Sequence, residues 1–175
     1  MKFRPTTIRD AFEISIETKP DERGFFARTW CEKEFEAQRL DSKLVQSSIS
    51  YNSRKGTLRG MHYQAAPFQE AKLIRCTRGS VYDVVADLRA ESLTYKQWVA
   101  VTLTAEKRNM IYVPKGCAHG FLTLQDDTEV FYQMSEVYDA RSARGFRWND
   151  SAFGINWPEE VKVISERDRT YPDFQ

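Results

Sequence analysis

Between residues 44 and 138 the chain consists almost entirely of short alternating runs separated by turn residues. That pattern leaves little room for anything but stacked β-strands. LVQSSISYN (44–52) meets the polar turn SRKG (53–56), and TLRGMHYQ (57–64) follows. AKLIRCTRGSVYDVVADLR (71–89) reads as two strands around a turn at TRGS. YKQWVAVTLT (95–104) sets Val99, Val101 and Leu103 against Trp98, Ala100 and Thr102. MIYVPKGCAHGFLTL (110–124) is two strands split by Pro114-Lys115-Gly116, and TEVFYQMSEVY (128–138) alternates again. One helix is expected near the N-terminus, over WCEKEFEAQRL (30–40), with Thr29 as its N-cap. The tail from Trp148 reads as irregular, because Trp157-Pro158 and Tyr171-Pro172 discourage a long helix. The expectation is an all-β protein, an antiparallel sandwich or barrel. Several strands carry polar side chains on both faces, as a barrel that encloses a ligand would need.

Bulk properties narrow the partners. A length of 175 residues without a Pro/Gly/Ser linker or internal repeat suits one domain, 1–175. A net charge of +1 offers no basic footprint for nucleic acid or an anionic membrane. The three cysteines, Cys31, Cys76 and Cys117, are odd in number and lack CxxC spacing. This argues against a disulfide framework or a zinc site and fits a reducing compartment. MKFRPTTIRD has no apolar core of a signal peptide, and no run approaches the ~20 apolar residues of a membrane span. The expected setting is the cytoplasm.

TLRGMHYQ holds one of the chain's two histidines. Strict alternation places Leu58, Gly60, His62 and Gln64 on one face and Arg59, Met61 and Tyr63 on the other. By the same rule Lys72, Ile74 and Cys76 share a face, and so do Val130, Tyr132 and Met134. His, Lys and Tyr are the residue types that move protons and stabilise an oxyanion, although a lone strand histidine is more often structural. The turn at Pro114 delivers His119 onto a new strand. A metal site on His62 and His119 with Glu70 as a third ligand is one reading, but Gln64 stands where a further histidine would help. GxSxG, a glycine-rich phosphate loop and HExxH are all absent. Cys117 fits a small buried hydrophobe better than a nucleophile. Arginine's fork suits phosphate. Arg59, inside a strand beside His62, is read as a ligand contact, and Arg78 as a surface ion pair.

RGFF (23–26), GTLRGMHYQ (56–64), KLIRCTRGSVYDVVADLR (72–89), SLTY (92–95), PKGCAHGF (114–121) and WND…INWP (148–158) follow one another in an order and spacing that resembles the dTDP-4-dehydrorhamnose 3,5-epimerase family. The resemblance covers about residues 5–170. It implies a cupin-type jelly-roll β-barrel with a few short peripheral helices. It also implies a homodimer that works without metal or organic cofactor, on a nucleotide-diphosphate 4-keto-6-deoxysugar. In that family the ketone at carbon 4 acidifies the protons on carbons 3 and 5. A base removes one, an enolate forms, and an acid returns a proton on the opposite face. On the resemblance, His62 matches the base and Asp168 the aspartate that orients it. Tyr132 matches the acid, and Lys72 the cation that stabilises the enolate oxygen. Arg23, Arg59 and His119 match substrate and diphosphate contacts, and Gln46 falls in a block before the LRG motif that also binds substrate. Phe26 and Tyr138 match positions near the nucleoside.

Three positions depart from the family pattern. Arg28 stands where Glu is common, Ser48 where Asn is common, and Ala143 where a substrate-contacting Glu is usual. On the resemblance all three fall on the nucleotide side of the site. They leave the carrier open between dTDP, the family default, and another such as CDP. Inversion at both carbons or at carbon 3 alone is also open. A metal-dependent cupin and a catalytically silent sugar-nucleotide-binding cupin are the competing readings.

Overall fold

A computed structural model describes residues 1–174. In chain order the strands begin with β1 (Lys2–Pro5), β2 (Phe12–Ser15), β3 (Thr18–Asp21) and β4 (Gly24–Ala27). Helix α1 (Glu32–Ala37) follows, then β5 (Gln46–Asn52), β6 (Thr57–Gln64), β7 (Lys72–Arg78) and β8 (Ser80–Asp87). Next come β9 (Trp98–Thr104), β10 (Met110–Val113), β11 (Cys117–Thr123) and β12 (Thr128–Met134). The chain closes with β13 (Ala143–Gly145), β14 (Val163–Ile164) and the short helix α2 (Glu166–Arg169).

Two sheets carry the architecture. One has the order β1-β2-β10-β7-β12-β5, the other β13-β6-β11-β8-β9 with β14 alongside β6. Almost every pairing is antiparallel, and β14 on β6 is the parallel exception. The inner faces meet in an apolar core, where Ile74, Cys76, Ile111 and Val130 pack on Val81, Val85, Leu103 and Phe121. This is the jelly-roll barrel expected from the sequence. The alternation read in β9 holds: Val99, Val101 and Leu103 face that core while Trp98 and Ala100 face outward.

The outer faces are covered by different means. Helix α1 lays Phe35 onto Ile14, Leu73, Met110 and Tyr112. It starts after Cys31 rather than at the expected cap Thr29, and Cys31 makes no side-chain cap bond. Trp30 is drawn into the same apolar cluster, which fits the extended backbone of Cys31, and the backbone oxygen of Cys31 accepts the first helical N–H groups. The other outer face is covered by the C-terminal tail, where Phe146, Phe153, Ile155 and Phe174 pack over Met61, Val84 and Ala118. The tail also forms β14 and α2, two short elements in a stretch read as irregular. Strands β1 to β4 have no counterpart in the sequence reading. They are four residues each, too short to show a period. Among the described residues no helix is long and apolar enough to cross a membrane.

Candidate active site

The site begins with an irregularity in β6. Its partner β11 matches His119 to His62 but Phe121 to Arg59, so three steps on β6 oppose two on β11. This is a β-bulge, and it flips the alternation. Arg59 and His62 therefore share the inner face with His119, Phe121, Asp83 and Val85, whereas Leu58 joins Met61 and Tyr63 outside. The expected split of Arg59 from His62 is thus overturned. Two glycines permit the bulge. A Cβ on Gly60, at φ +147°, would lie 2.6 Å from Gly120 Cα, and one on Gly120 would lie 2.6 Å from Met61 Sδ.

His62 points into an open recess of about 470 Å³ bordered by Glu70, Lys72, Tyr138, Arg144 and Arg167. Its Nε2 lies 2.7 Å from Asp168 Oδ1, across 106 residues of sequence. The carboxylate is an acceptor only, so Nε2 carries the proton and Nδ1 is left to receive one. Asp168 is itself fixed at both ends. Its backbone N–H donates to the Ser165 hydroxyl, the N-cap of α2, and its Oδ2 accepts the Gly60 N–H at 3.2 Å. Burial alone would push the Asp168 carboxyl up. The hydrogen bond and charge of His62, with the Gly60 N–H, outweigh that and hold it below the usual range.

Lys72 opens β7 and lies 3.1 Å from Glu70, both largely buried. Lys72, Ile74, Val130 and Tyr132 share the inner face of the opposite sheet, as the alternation implied. The Tyr132 ring packs edge-on to His119 at 6.0 Å and against Phe121 at 6.5 Å. Burial pushes its phenol far above the ordinary value. The charge of Asp83 adds to the shift, while Arg59 and a Ser50 hydrogen bond oppose it. The proton therefore stays on Tyr132 across the neutral range. Arg59 is steadied by Asn52, whose Oδ1 accepts its Nε–H at 2.8 Å.

His119 is bound differently from His62. Its Nε2 lies 3.0 and 2.9 Å from the two oxygens of Asp83, and both side chains are buried. Burial raises the Asp83 carboxyl, against the pull of His119 and Lys72. His62 and His119 are register partners, yet each Nε2 is held by its own carboxylate. Among the described residues no group of three or more His, Cys, Asp or Glu side chains is placed to hold a metal ion. Cys117 is buried beside Asp87 and its thiol is pushed up to about 12, chiefly by burial, which suits the inert role read for it.

The other expected contacts divide. Gln46 faces inward on β5, and its Oε1 accepts the Tyr138 N–H at the rim of the recess. Arg23 and Phe26 are not brought there. They sit on the β3–β4 hairpin, Arg23 turned onto Asp21 and Phe26 71% exposed. A separate recess of about 540 Å³ beside Phe26 also holds Arg28, which is paired with Glu34, and none of His62, Lys72, Tyr132 or Asp168. Ser48 is the register partner of Tyr132, so this departure lies beside the residue expected to be the acid and not away from it. Ala143 does border the His62 recess. Sequence reasoning missed Asp83, Arg167 and Tyr171. Only tertiary pairing identifies them, and nothing local in the sequence marks them.

The family model for dTDP-4-dehydrorhamnose 3,5-epimerase matches residues 5–175. A dTDP-4-dehydrorhamnose 3,5-epimerase of Sinorhizobium fredii is 41% identical over 175 residues, covering 99% of this chain and 90% of the relative. The crystal structure of the dTDP-4-dehydrorhamnose 3,5-epimerase of Elizabethkingia anophelis superimposes with a TM-score of 0.97 at 36% identity, covering 99% of this chain and 96% of the other. The dTDP-6-deoxy-D-glucose-3,5-epimerase of Legionella pneumophila, in complex with dTDP-4-keto-L-rhamnose, superimposes with a TM-score of 0.87 at 34% identity. That match covers 95% of this chain and 89% of the other.

Proposed function

The chain belongs to the dTDP-4-dehydrorhamnose 3,5-epimerase family, and on that footing we propose that it inverts carbon 3, carbon 5 or both in a nucleotide-diphosphate 4-keto-6-deoxyhexose. The default substrate is the dTDP-linked sugar. The observation that carries the mechanism is the placement of base and acid on opposed sheets: His62 on the inner face of β6, Tyr132 on the inner face of β12. An enolate is flat at the reacting carbon. A proton taken from one side by His62 and returned from the other by Tyr132 gives the inverted centre.

Each residue has one task. Asp168 holds the His62 ring with Nδ1 free and stabilises the imidazolium once the proton has moved. Lys72 places a positive charge where the enolate oxygen develops its negative one. Arg59, His119, Gln46 and Tyr138 position the substrate. Arg23 and Phe26 lie on an exposed hairpin and do not border their own chain's recess. They serve as substrate contacts if that hairpin reaches the site of a second copy, which suits a homodimer. The exposed Ile49 and Tyr51 on edge strand β5 give such a pairing apolar surface. The free thiols of all three cysteines suit the cytoplasm.

The test is proton NMR in D₂O with dTDP-4-keto-6-deoxyglucose. Loss of the signals from carbons 3 and 5 with a new stereoisomer establishes a double epimerase. Loss at carbon 3 alone makes it a 3-epimerase. Exchange with the CDP-linked sugar alone assigns a different carrier. Absence of exchange with both sugars overturns the reading.

A further inference from the structure

We propose that Tyr171 is a positioning residue for the base: its ring fills the space left by Gly145 and keeps the His62 imidazole on Asp168. The inference rests on the function proposed above. The His62 side chain is 38% exposed, so one hydrogen bond to Asp168 leaves its ring open to swing into the recess. The Tyr171 ring packs against one side of the imidazole and restrains that motion. It meets His62 edge to face, with centroids 5.9 Å apart at 65°.

Three features fix Tyr171 there. Gly145 is the register partner of His62, and a Cβ on it would fall 2.5 Å from Tyr171 Cε2. The glycine therefore makes room for the tyrosine ring beside the base. The Arg167 guanidinium lies over the same ring at 5.6 Å. The backbone is pinned on both sides of the residue, the Thr170 N–H donating to Glu166 O and the Arg147 N–H to Pro172 O. Asp168, Arg167 and Tyr171 thus come from a single five-residue span that delivers the base's partner and its backstop together. The ring does this work and the hydroxyl is not needed, so phenylalanine should substitute.

Wild type, Tyr171→Phe and Tyr171→Ala are compared in the D₂O exchange assay, at a temperature where circular dichroism shows all three folded. Tyr171→Ala is expected to lower kcat about 10–100-fold with KM within about twofold, the cost of a misplaced catalytic group. Tyr171→Phe is expected to stay within about threefold of wild type in kcat. The His62 ring resonance, one of only two histidine ring sets, should broaden or move in Tyr171→Ala while that of His119 stays in place. An unchanged kcat and an unchanged His62 resonance in Tyr171→Ala would overturn the inference. So would equal losses in Phe and Ala, since the hydroxyl would then be what matters. If wild type exchanges no proton on either carrier, the proposed function has failed, and the His62 resonance alone decides the role of Tyr171.

Discussion

The barrel contains two histidine–carboxylate pairs that face each other across one rung of β6 and β11, and they have been given different environments. In the His62–Asp168 pair the ring is 38% exposed and the carboxylate hangs from a short helix in the tail. In the His119–Asp83 pair the ring is 5% exposed and both residues lie on neighbouring central strands. The same chemistry therefore supports different tasks. A base needs a free nitrogen that substrate can reach and a partner that is already ionised, and Asp168 is held below the usual carboxylate range. A sealed pair whose acid is raised by burial can orient a ring but has no path for a proton from solvent. These differences support the proposed assignment of His62 as the base, with His119 kept to a contact role.

Breaking the first pair should cost most. His62→Ala should abolish exchange at the substrate carbons, a loss of about 10²–10⁴-fold in kcat. The fold should survive with a lowered melting temperature, since Asp168 is left buried without its charge partner. Asp168→Asn should follow, losing about 10²-fold or more as the ring loses its tautomer and orientation. Gly60→Ala attacks the bulge that turns Arg59 and His62 to one side. Its φ of +147° and the contact with Gly120 Cα should destabilise the fold by about 1–3 kcal/mol, read from denaturant unfolding.

The smallest effect sharpens the contrast, because the two acids carry opposite signs in pH-dependent stability. The pKa of Asp168 is depressed on folding. Its stabilisation is present above the ordinary aspartate value of about 4 and is lost as pH falls through the folded value. The pKa of Asp83 is raised. Its favourable contribution is full below about pH 4 and is lost as pH rises through the folded value. Melting temperature against pH should therefore separate the isosteric variants. Asp168→Asn should fall behind wild type as pH rises through the acid range. Asp83→Asn should gain on wild type as pH rises towards neutrality, with kcat changed by less than about tenfold.

The barrel was legible because its strands from β5 to β12 are long enough to show a period and are separated by recognisable turns. The inward faces of β7, β9 and β12 came out as alternation required. β6 did not, because a one-residue bulge inverts every side chain beyond it, and Gly60 in TLRGMH was its only local sign. His62, Lys72 and Tyr132 could be picked by residue type. Their convergence could not, and Asp168 entered only through the family resemblance, since 106 residues separate it from its partner. Tyr171 stayed hidden because the tail carries no period, and its role depends on a glycine 26 positions earlier in the chain. The hairpin that carries Arg23 and Phe26 is a reminder that a motif names residue types and leaves open which site they reach.

The central claim is that base and acid work from opposite sheets. Tyr132→Phe in D₂O with dTDP-4-keto-6-deoxyglucose tests it most directly, following proton loss and stereoisomer formation in the same spectra. The account predicts that His62 still washes the acidic protons out of the starting sugar while the inverted product forms at least about 10²-fold more slowly. Inversion at the wild-type rate, or wash-out abolished as fully as in His62→Ala, would contradict it.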